Sequence, residues 1–381
     1  MIQILFWVFT ASIIYIFFGY PLILFLFQYV RKLPITKNGA DFLPVVTLFI
    51  PVYNEESVIE KKIKNSLAMD YPRELLEIVV ASDASTDRTN QIVANYASKG
   101  VTLFVNDRNE GKNALINKYV PKTTGKVIAF TDANSMFDPS ALKSMVKKFS
   151  DPAAGCVGGK LIYQKGKSAV AKGEGFYFKY ENFIRKLEGL QGAMVGANGA
   201  IYAIQRDLFV PVPSYVPNDF YHPLTILKRD FLSVFDENAI AREKPSETVE
   251  EEFKRRARIV VRSVSAVWEA GRLFGWFKGK GGFNLLSHKI LRWFAFPILV
   301  VMLLFNVLLL NQPLFKYIFV LQITFYALGI LGYTFDRFGI RFRFFFVPYY
   351  FLLINIAGTV GMLNFFRGQK VATWKTASTT R

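Results

Sequence analysis

Residues 127–135 read VIAFTDANS: four apolar strand formers, then Thr131, Asp132, Ala133 and Asn134 ahead of a break. A short apolar run bounded by turn formers describes a buried strand. In an open α/β sheet, ligands bind beyond the carboxyl ends of the strands. Asp132 is therefore expected to face a site for a metal and a diphosphate. The same letters fit a plainer reading, in which Asp132 and Asn134 only shape a strand-ending turn.

Upstream, residues 45–50 form a continuous apolar run followed by Pro51, Val52, Tyr53, Asn54 and Glu55. A helix is expected from there, with Asn54 as its cap and Glu55, Glu56 and Glu60 in its first turns. Residues 75–81 predict the next strand, ending at Ser82 and Asp83, and Ser85 to Asp87 cap a helix running to about residue 98. Residues 101–105 predict a third strand, and Asn109, Glu110, Gly111 and Lys112 open another helix. Strands alternating with helices predict a doubly wound, Rossmann-like α/β domain. Two of its strands end in acids, Asp83 and Asp132, and Lys112 opens a helix whose N-terminus favours an anion. That combination predicts a nucleotide, with base and ribose at Asp83 and phosphates at Lys112 and a metal on Asp132.

The composition places the chain at a membrane. Of 381 residues 52% are hydrophobic and 38 are Phe, more than a water-soluble domain carries. Residues 1–30 hold no charge and are followed by Arg31, Lys32 and Lys37, which predicts a signal anchor with its N-terminus outside. Charge-free runs at 293–315, 317–335 and 344–366 predict three more spans. Arg337, Arg341 and Arg343 suit a cytoplasmic turn, whereas four spans would leave the basic tail (Arg367, Lys370, Lys375, Arg381) outside. One run is then re-entrant or interfacial. Residues 266–289 mix Trp268, Phe274, Trp276 and Phe277 with Arg272, Lys278, Lys280 and Lys289, the pattern of an interfacial amphipathic segment. The expected organisation is an N-terminal transmembrane helix at 1–30, a cytosolic domain at 40–262, amphipathic interface helices at 263–289, three C-terminal transmembrane helices at 290–366 and a basic tail at 367–381. These flanks account for much of the net charge of +18, and no nucleic-acid motif is present. The lone Cys156 excludes an internal disulfide. No ionisable residue falls inside the apolar runs, which argues against a transporter.

The strings IPVYNEE (50–56), SDASTD (82–87), NEGKNALIN (109–117) and FTDAN (130–134) closely resemble the GT-A domain of inverting family 2 glycosyltransferases. The layout of spans is similar to the membrane-embedded branch with hyaluronan, chitin and cellulose synthases. The resemblance implies an inner-membrane, multi-pass enzyme with a cytoplasmic catalytic domain. Its donor would be a nucleotide sugar, expected to be UDP-linked, its acceptor a carbohydrate or lipid-linked molecule, and its cofactor Mg²⁺ or Mn²⁺.

By the same resemblance, Tyr53 lies against the base, with Glu55 beside it on the donor side, Asp83 binds the nucleoside and Lys112 sits near the diphosphate. Asp132 holds the metal, with Asn134 where the family often has a second acid. The glycine-rich GAMVGANGAIYA (192–203) places Asn198 and Gly199 near the acceptor, where small residues admit a sugar. Asp219 is the candidate general base, preceded by Asn218 instead of a second acid, and His222 and Trp268 are further acceptor-side candidates. Arg255 and Arg258 stand where the family has its Gln-x-x-Arg-Trp motif and are expected to grip the diphosphate. Ile259 replaces the tryptophan that stacks on the acceptor in the synthases. Three functions follow: a processive polysaccharide synthase coupled to secretion, a transferase adding one sugar to a polyprenyl-linked intermediate, and a non-catalytic membrane module of a polysaccharide-synthesis complex.

Overall fold

The computed structural model describes residues 1–30, 42–164, 166, 168–246, 248–274, 279–338 and 343–370. Arg31, Lys32, Lys37, Trp276, Phe277, Lys278, Arg341, Lys375 and Arg381 lie outside them. The chain opens with α1 (Ile2–Ile14), a π-turn at Tyr15–Gly19 and α2 (Tyr20–Val30), which join into one apolar helix. Then come β1 (Val46–Val52), α3 (Ile59–Leu67), β2 (Leu76–Ser82), α4 (Thr89–Ala94), β3 (Val101–Val105), α5 (Lys112–Tyr119) and β4 (Val127–Phe130). β1, VTLFIPV, is buried over its whole length, as a strand covered on both faces must be. Its alternate residues feed two layers of core: Val46, Leu48, Ile50 and Val52 on one side of the sheet, Phe49 on the other.

The domain continues through β5 (Met136–Phe137), α6 (Ala141–Lys147), β6 (Ala154–Tyr163), α7 (Ala169–Leu190), β7 (Tyr202–Gln205), α8 (Asn218–Leu227) and β8 (Leu232–Glu243). The eight strands make one sheet in the order β3-β2-β1-β4-β7-β6-β8-β5. β3, β2, β1 and β4 run parallel, the Rossmann-like half that the sequence predicts. The doubly wound pattern ends there, because β7 runs antiparallel to β4 and β6, and β6 pairs parallel with β8. β7 begins where β4 ends, Tyr202 opposite Phe130. The glycine-rich loop before β7 is thereby delivered to the carboxyl end of β4, next to Asp132.

One helix start differs from expectation. Asn54 does not cap α3: it sits at φ +52°, donates its backbone N–H to Ser85 Oγ (3.1 Å) and accepts the Thr86 N–H on Oδ1 (2.8 Å). It is spent on knitting together the loops that follow β1 and β2, so the helix starts at Ile59. α7 is capped by Ser168, which accepts the Ala171 N–H at 3.0 Å.

After β8 come α9 (Val249–Phe274), then α10 (Gly279–Asn284), a π-turn at Leu285–Ile290 and α11 (Leu291–Trp293) as one helix, α12 (Ala295–Leu308), α13 (Pro313–Arg337) and α14 (Phe346–Phe366). Ile2–Tyr29, Pro313–Arg337 and Phe346–Phe366 are long and apolar enough to cross a membrane. A fourth span exists only if Gly279–Trp293 and Ala295–Leu308, bent at 57°, count as one. The expected straight span at 293–315 is thus a broken element: the 14 residues of α12 reach only about 21 Å, short of a hydrocarbon core of about 30 Å.

α14 stands apart from the other two long helices. Its most apolar stretch is 56% buried within the protein, against 22% for the first helix and 11% for α13. It lies along α9. The Tyr350 hydroxyl donates to Glu252 Oε1 at 2.6 Å, and Gly361 packs so closely that a Cβ there would stand 2.5 Å from the Ala257 carbonyl oxygen. Just past α14, the Lys370 ammonium stands 4.6 Å from the centre of the Tyr215 ring, on the α/β domain.

Candidate active site

Three loops at the carboxyl ends of β1, β2 and β4 build the floor of the site. Asp83, fully buried after β2, accepts the Gly111 N–H at 2.7 Å and the Glu110 N–H at 3.0 Å. It thereby fixes the turn through Gly111, at φ +90°, where only glycine is unstrained. That turn launches α5, whose first residue Lys112 reaches Asp132 Oδ1 with its Nζ at 2.5 Å. The turn that holds Asp132 is anchored from below by Lys62. Its buried Nζ donates to Thr131 Oγ1 at 2.9 Å and to the Ser135 carbonyl. Burial pulls the Lys62 ammonium down to about 7, opposed by the charges of Asp132 and Glu243. Burial likewise lifts Glu243 to about 7, with Asp132 adding to the rise.

The roof comes from the glycine-rich loop and the first turn of α8. A Cβ placed on Gly199 would lie 3.4 Å from Asp219 Oδ2 and 3.7 Å from Asp132 Oδ2. The two carboxylates therefore border one small space kept open by the missing side chain. Burial raises the Asp219 carboxyl above the ordinary aspartate value; Lys112 opposes this, Asp132 adds to it, and Arg262 and Arg185 oppose it. Asn218 has left the acid's role altogether, its amide donating to the buried Tyr202 hydroxyl.

A cleft of about 360 Å³ joins these groups. Of the residues predicted from sequence, Lys112, Asp132, Asn198, Gly199, Asp219, Arg255 and Arg258 border it. Tyr53, Glu55, Asp83 and Asn134 do not line it: they belong to the loops beneath, where Glu55 donates its N–H to Thr89 Oγ1 at 2.8 Å. His222 turns away from the cleft. It lies buried on α8, one ring nitrogen 3.1 Å from the Tyr202 hydroxyl, and burial drives it down to about 4. It is a neutral core residue instead of an acceptor ligand, because the helical turn after Asp219 points into the sheet. Trp268 is also displaced. Ten residues beyond Arg258 on the same helix, about 15 Å farther along, it is 52% exposed and borders a separate hollow with Tyr215, Phe365 and Lys370.

The predicted arginine clamp divides. Arg255 is drawn into a buried network, donating to Glu252 Oε2 (2.6 Å), to Glu174 and to the Tyr163 hydroxyl (3.0 Å). Arg256 donates to Glu252 Oε1 (2.7 Å) and the Tyr350 hydroxyl (3.0 Å), tying α9 to α14. Arg262 joins Arg258 on the cleft. Its Nη2 donates to the Val216 carbonyl at 2.7 Å, its Nε has no hydrogen-bond partner, and burial lowers it to about 10. The signal for Arg262 was present, since it follows Arg258 by one helical turn. Lys62 was signalled only by standing between Ile59 and Ile63 on the buried stripe of α3. No sequence pattern pointed to Glu243 or Arg185.

A divalent metal fits this donor set in one way. Among the described residues no three His, Cys, Asp or Glu side chains gather around one point. A cation held by protein alone is therefore not supported. Mg²⁺ and similar ions often take one or two carboxylates and complete their shell with substrate phosphates. Asp132 keeps Oδ2 turned to the cleft beside the Lys112 ion pair and suits that arrangement.

Residues 47–208 match the family described as Glycosyl transferase family 2. This segment is a family 2 glycosyltransferase domain. The glycosyltransferase domain is 32% identical over 136 residues to the probable glycosyltransferase YdaM of Bacillus subtilis, covering 34% of this chain and 32% of that one. It is 34% identical over 125 residues to the β-monoglucosyldiacylglycerol synthase of Nostoc, covering 32% and 27%. It is 27% identical over 140 residues to the poly-β-1,6-N-acetyl-D-glucosamine synthase of Staphylococcus aureus, covering 35% and 34%. The matched part thus spans about a third of these relatives' length. The whole chain superposes on the mannosyltransferase PcManGT of Pyrobaculum calidifontis, solved with GDP-Man and Mn²⁺. The TM-score is 0.73 at 20% identity, over 97% of this chain and 100% of that one. The likeness of fold therefore runs over nearly the whole chain, beyond the matched segment.

Proposed function

We propose that the chain is an inverting glycosyltransferase that moves one sugar from a nucleotide-sugar donor to an acceptor presented at the membrane surface. The observation that carries this reading is the pair of carboxylates, Asp132 and Asp219, bordering the same space over Gly199. A donor diphosphate lies against Lys112 and Arg258 at one end of the cleft. Asp219 takes the proton of the acceptor hydroxyl as its oxygen bonds to the anomeric carbon. The bond from that carbon to the diphosphate breaks on the opposite side, and the electron pair leaves with the diphosphate, whose charge Lys112 and Arg258 offset. A divalent cation on Asp132, when bound, adds Lewis-acid neutralisation of the leaving diphosphate. Attack and departure on opposite faces invert the anomeric configuration. Proton NMR of the product formed from an α-linked donor tests this: a β-linked product supports it, and an α-linked product overturns it.

Single addition is favoured over processive synthesis. Ile354, Asn355 and Gly358 of α14 line the cleft, so the helix that would flank a secretion path lies across the site, and Ile259 offers no ring for a growing chain. Gel sizing of radiolabelled product separates the two, a ladder favouring the synthase.

For the membrane, we propose an inner-membrane protein with its domain in the cytoplasm. α1–α2, the bent unit of α10–α11 and α12, and α13 cross the bilayer, while α14 rests along α9 at the interface. Burial of α14 and the Lys370–Tyr215 contact support this. An odd number of crossings from an outside N-terminus returns the basic tail to the cytoplasm, where its charge belongs.

A further inference from the structure

At the end of the cleft away from Lys112, cations gather in excess of the acids that face them. Glu181 on α7 receives Lys289 Nζ at 3.2 Å and Arg292 Nη1 at 2.5 Å, with Arg185 Nη2 at 3.9 Å. His288 lies between Glu181 and Glu188, its ring nitrogens 3.2 and 2.7 Å from their oxygens. Glu188 also accepts from the Tyr20 hydroxyl at 2.7 Å. Three cationic side chains therefore crowd one carboxylate.

Arg185 is the least satisfied of them. It is only 8% exposed, yet its Nε and Nη1 have no hydrogen-bond partner. Leaving buried guanidinium N–H groups unpaired is costly, and both Arg185 and Asp219 line the same cleft. A nucleoside diphosphate sugar brings two negative charges, which Lys112, Arg258 and a divalent cation already offset. The cluster around Arg185 needs another anion. Lys289 and Arg292 belong to the helix that leads into apolar α12, and Trp293 and Ile354 line the cleft beside them, so the anion arrives with apolar surface at hand.

We propose that Arg185, with Lys289 and Arg292, forms a second anion subsite that binds a phosphate group carried by the acceptor, next to the hydroxyl that Asp219 deprotonates. This rests on the transferase reading above and narrows its acceptor to a phosphate-bearing molecule. A phosphate beside Arg185 offers acceptor oxygens to its open N–H groups, and charge-assisted bonds of this kind are the strong ones.

The test uses the full chain in phosphatidylcholine nanodiscs, with nucleoside diphosphate binding measured on the same preparation. Calorimetry compares dodecyl phosphate with dodecanol and with inorganic phosphate. The expected result is dodecyl phosphate binding at least about tenfold tighter than dodecanol, the factor that one charge-assisted hydrogen bond supplies. Arg185→Gln should abolish that difference while nucleotide affinity is kept, and Arg185→Lys should restore part of it. Competition by inorganic phosphate at comparable affinity identifies a soluble phosphorylated acceptor, and its failure to compete identifies a lipid phosphate; either supports the subsite. Equal affinity for phosphate and alcohol in the native protein overturns it, with no dependence on how well the variants fold. So does an undiminished difference in Arg185→Gln. Nucleotide binding without phosphate discrimination defeats only this inference, whereas absence of nucleotide binding defeats the transferase reading with it.

Discussion

Asp219 Oδ2 and Asp132 Oδ2 lie 3.4 and 3.7 Å from the point where a Cβ on Gly199 would stand. Those are ordinary van der Waals distances, and Gly199 has no positive φ. Gly199→Ala should therefore fold normally while filling the space where acceptor and anomeric carbon meet. Melting temperature should stay within a few degrees, and turnover should fall about a hundredfold, the cost of displacing reacting groups by about 1 Å. Parallel melting and single-turnover measurements check this.

Arg262 holds the Asp219 carboxyl down, against burial, which lifts it. A base works only when deprotonated, so the acid limb of the kcat–pH profile should lie above the ordinary aspartate range. Arg262→Gln removes an opposing positive charge and should move that limb to still higher pH. An unchanged limb would remove Asp219 from the role of base.

Lys62 gives a stability prediction with a definite sign. Its folded value is about 7 against an ordinary 10.5, so between those limits the unfolded chain binds more protons, and rising pH favours the folded state through this group. Lys62→Met eliminates the titration but strands Thr131 Oγ1 and the Ser135 carbonyl. The stability advantage of the native protein over Lys62→Met should grow as pH rises from about 7 to about 10.5. Activity of the variant should drop at all pH values, because the turn bearing Asp132 loses its anchor. Thermal melts at stepped pH read the first effect and nucleotide release the second.

Glu252 joins Arg255 and Arg256 of α9 to Tyr350 of α14 without exposure to solvent. Glu252→Gln leaves two buried guanidinium groups short of their counter-charge and should cost about 3–5 kcal/mol. Detergent-phase unfolding would register it, along with loosening of α14, detectable by faster proteolysis near residues 343–345.

The parallel half of the sheet was legible because β1, β2 and β4 are short apolar runs whose ends carry Asp83 and Asp132, all within local sequence. Lys112 was legible in the same way, as the opening of a helix, whereas Asp219 was named only by the family resemblance. What escaped were pairings between distant segments. Lys62 meets Thr131, Glu181 meets Lys289 and Arg292 of the helix before α12, and Glu243 arrives from the last strand of the domain; nothing in the spacing of any one segment encodes these. Trp268 and His222 misled because nearness in sequence to Arg258 and Asp219 says nothing of helical phase, which carries one to a separate surface and the other into the core. Apolarity marked 344–366 as a membrane span but could not say that more than half of its most apolar stretch is covered by the protein itself, α9 included.

The most direct measurement is nucleoside diphosphate release by the purified full chain in nanodiscs, given UDP- and GDP-sugars with Mg²⁺ or Mn²⁺ and an alkyl phosphate acceptor, with Asp219→Asn in parallel. Release with one donor, reduced about 10²–10⁴-fold in Asp219→Asn while nucleotide affinity is unchanged, is the predicted result. Equal release by the variant and the native protein would contradict the assignment of Asp219 and, with it, the proposed chemistry.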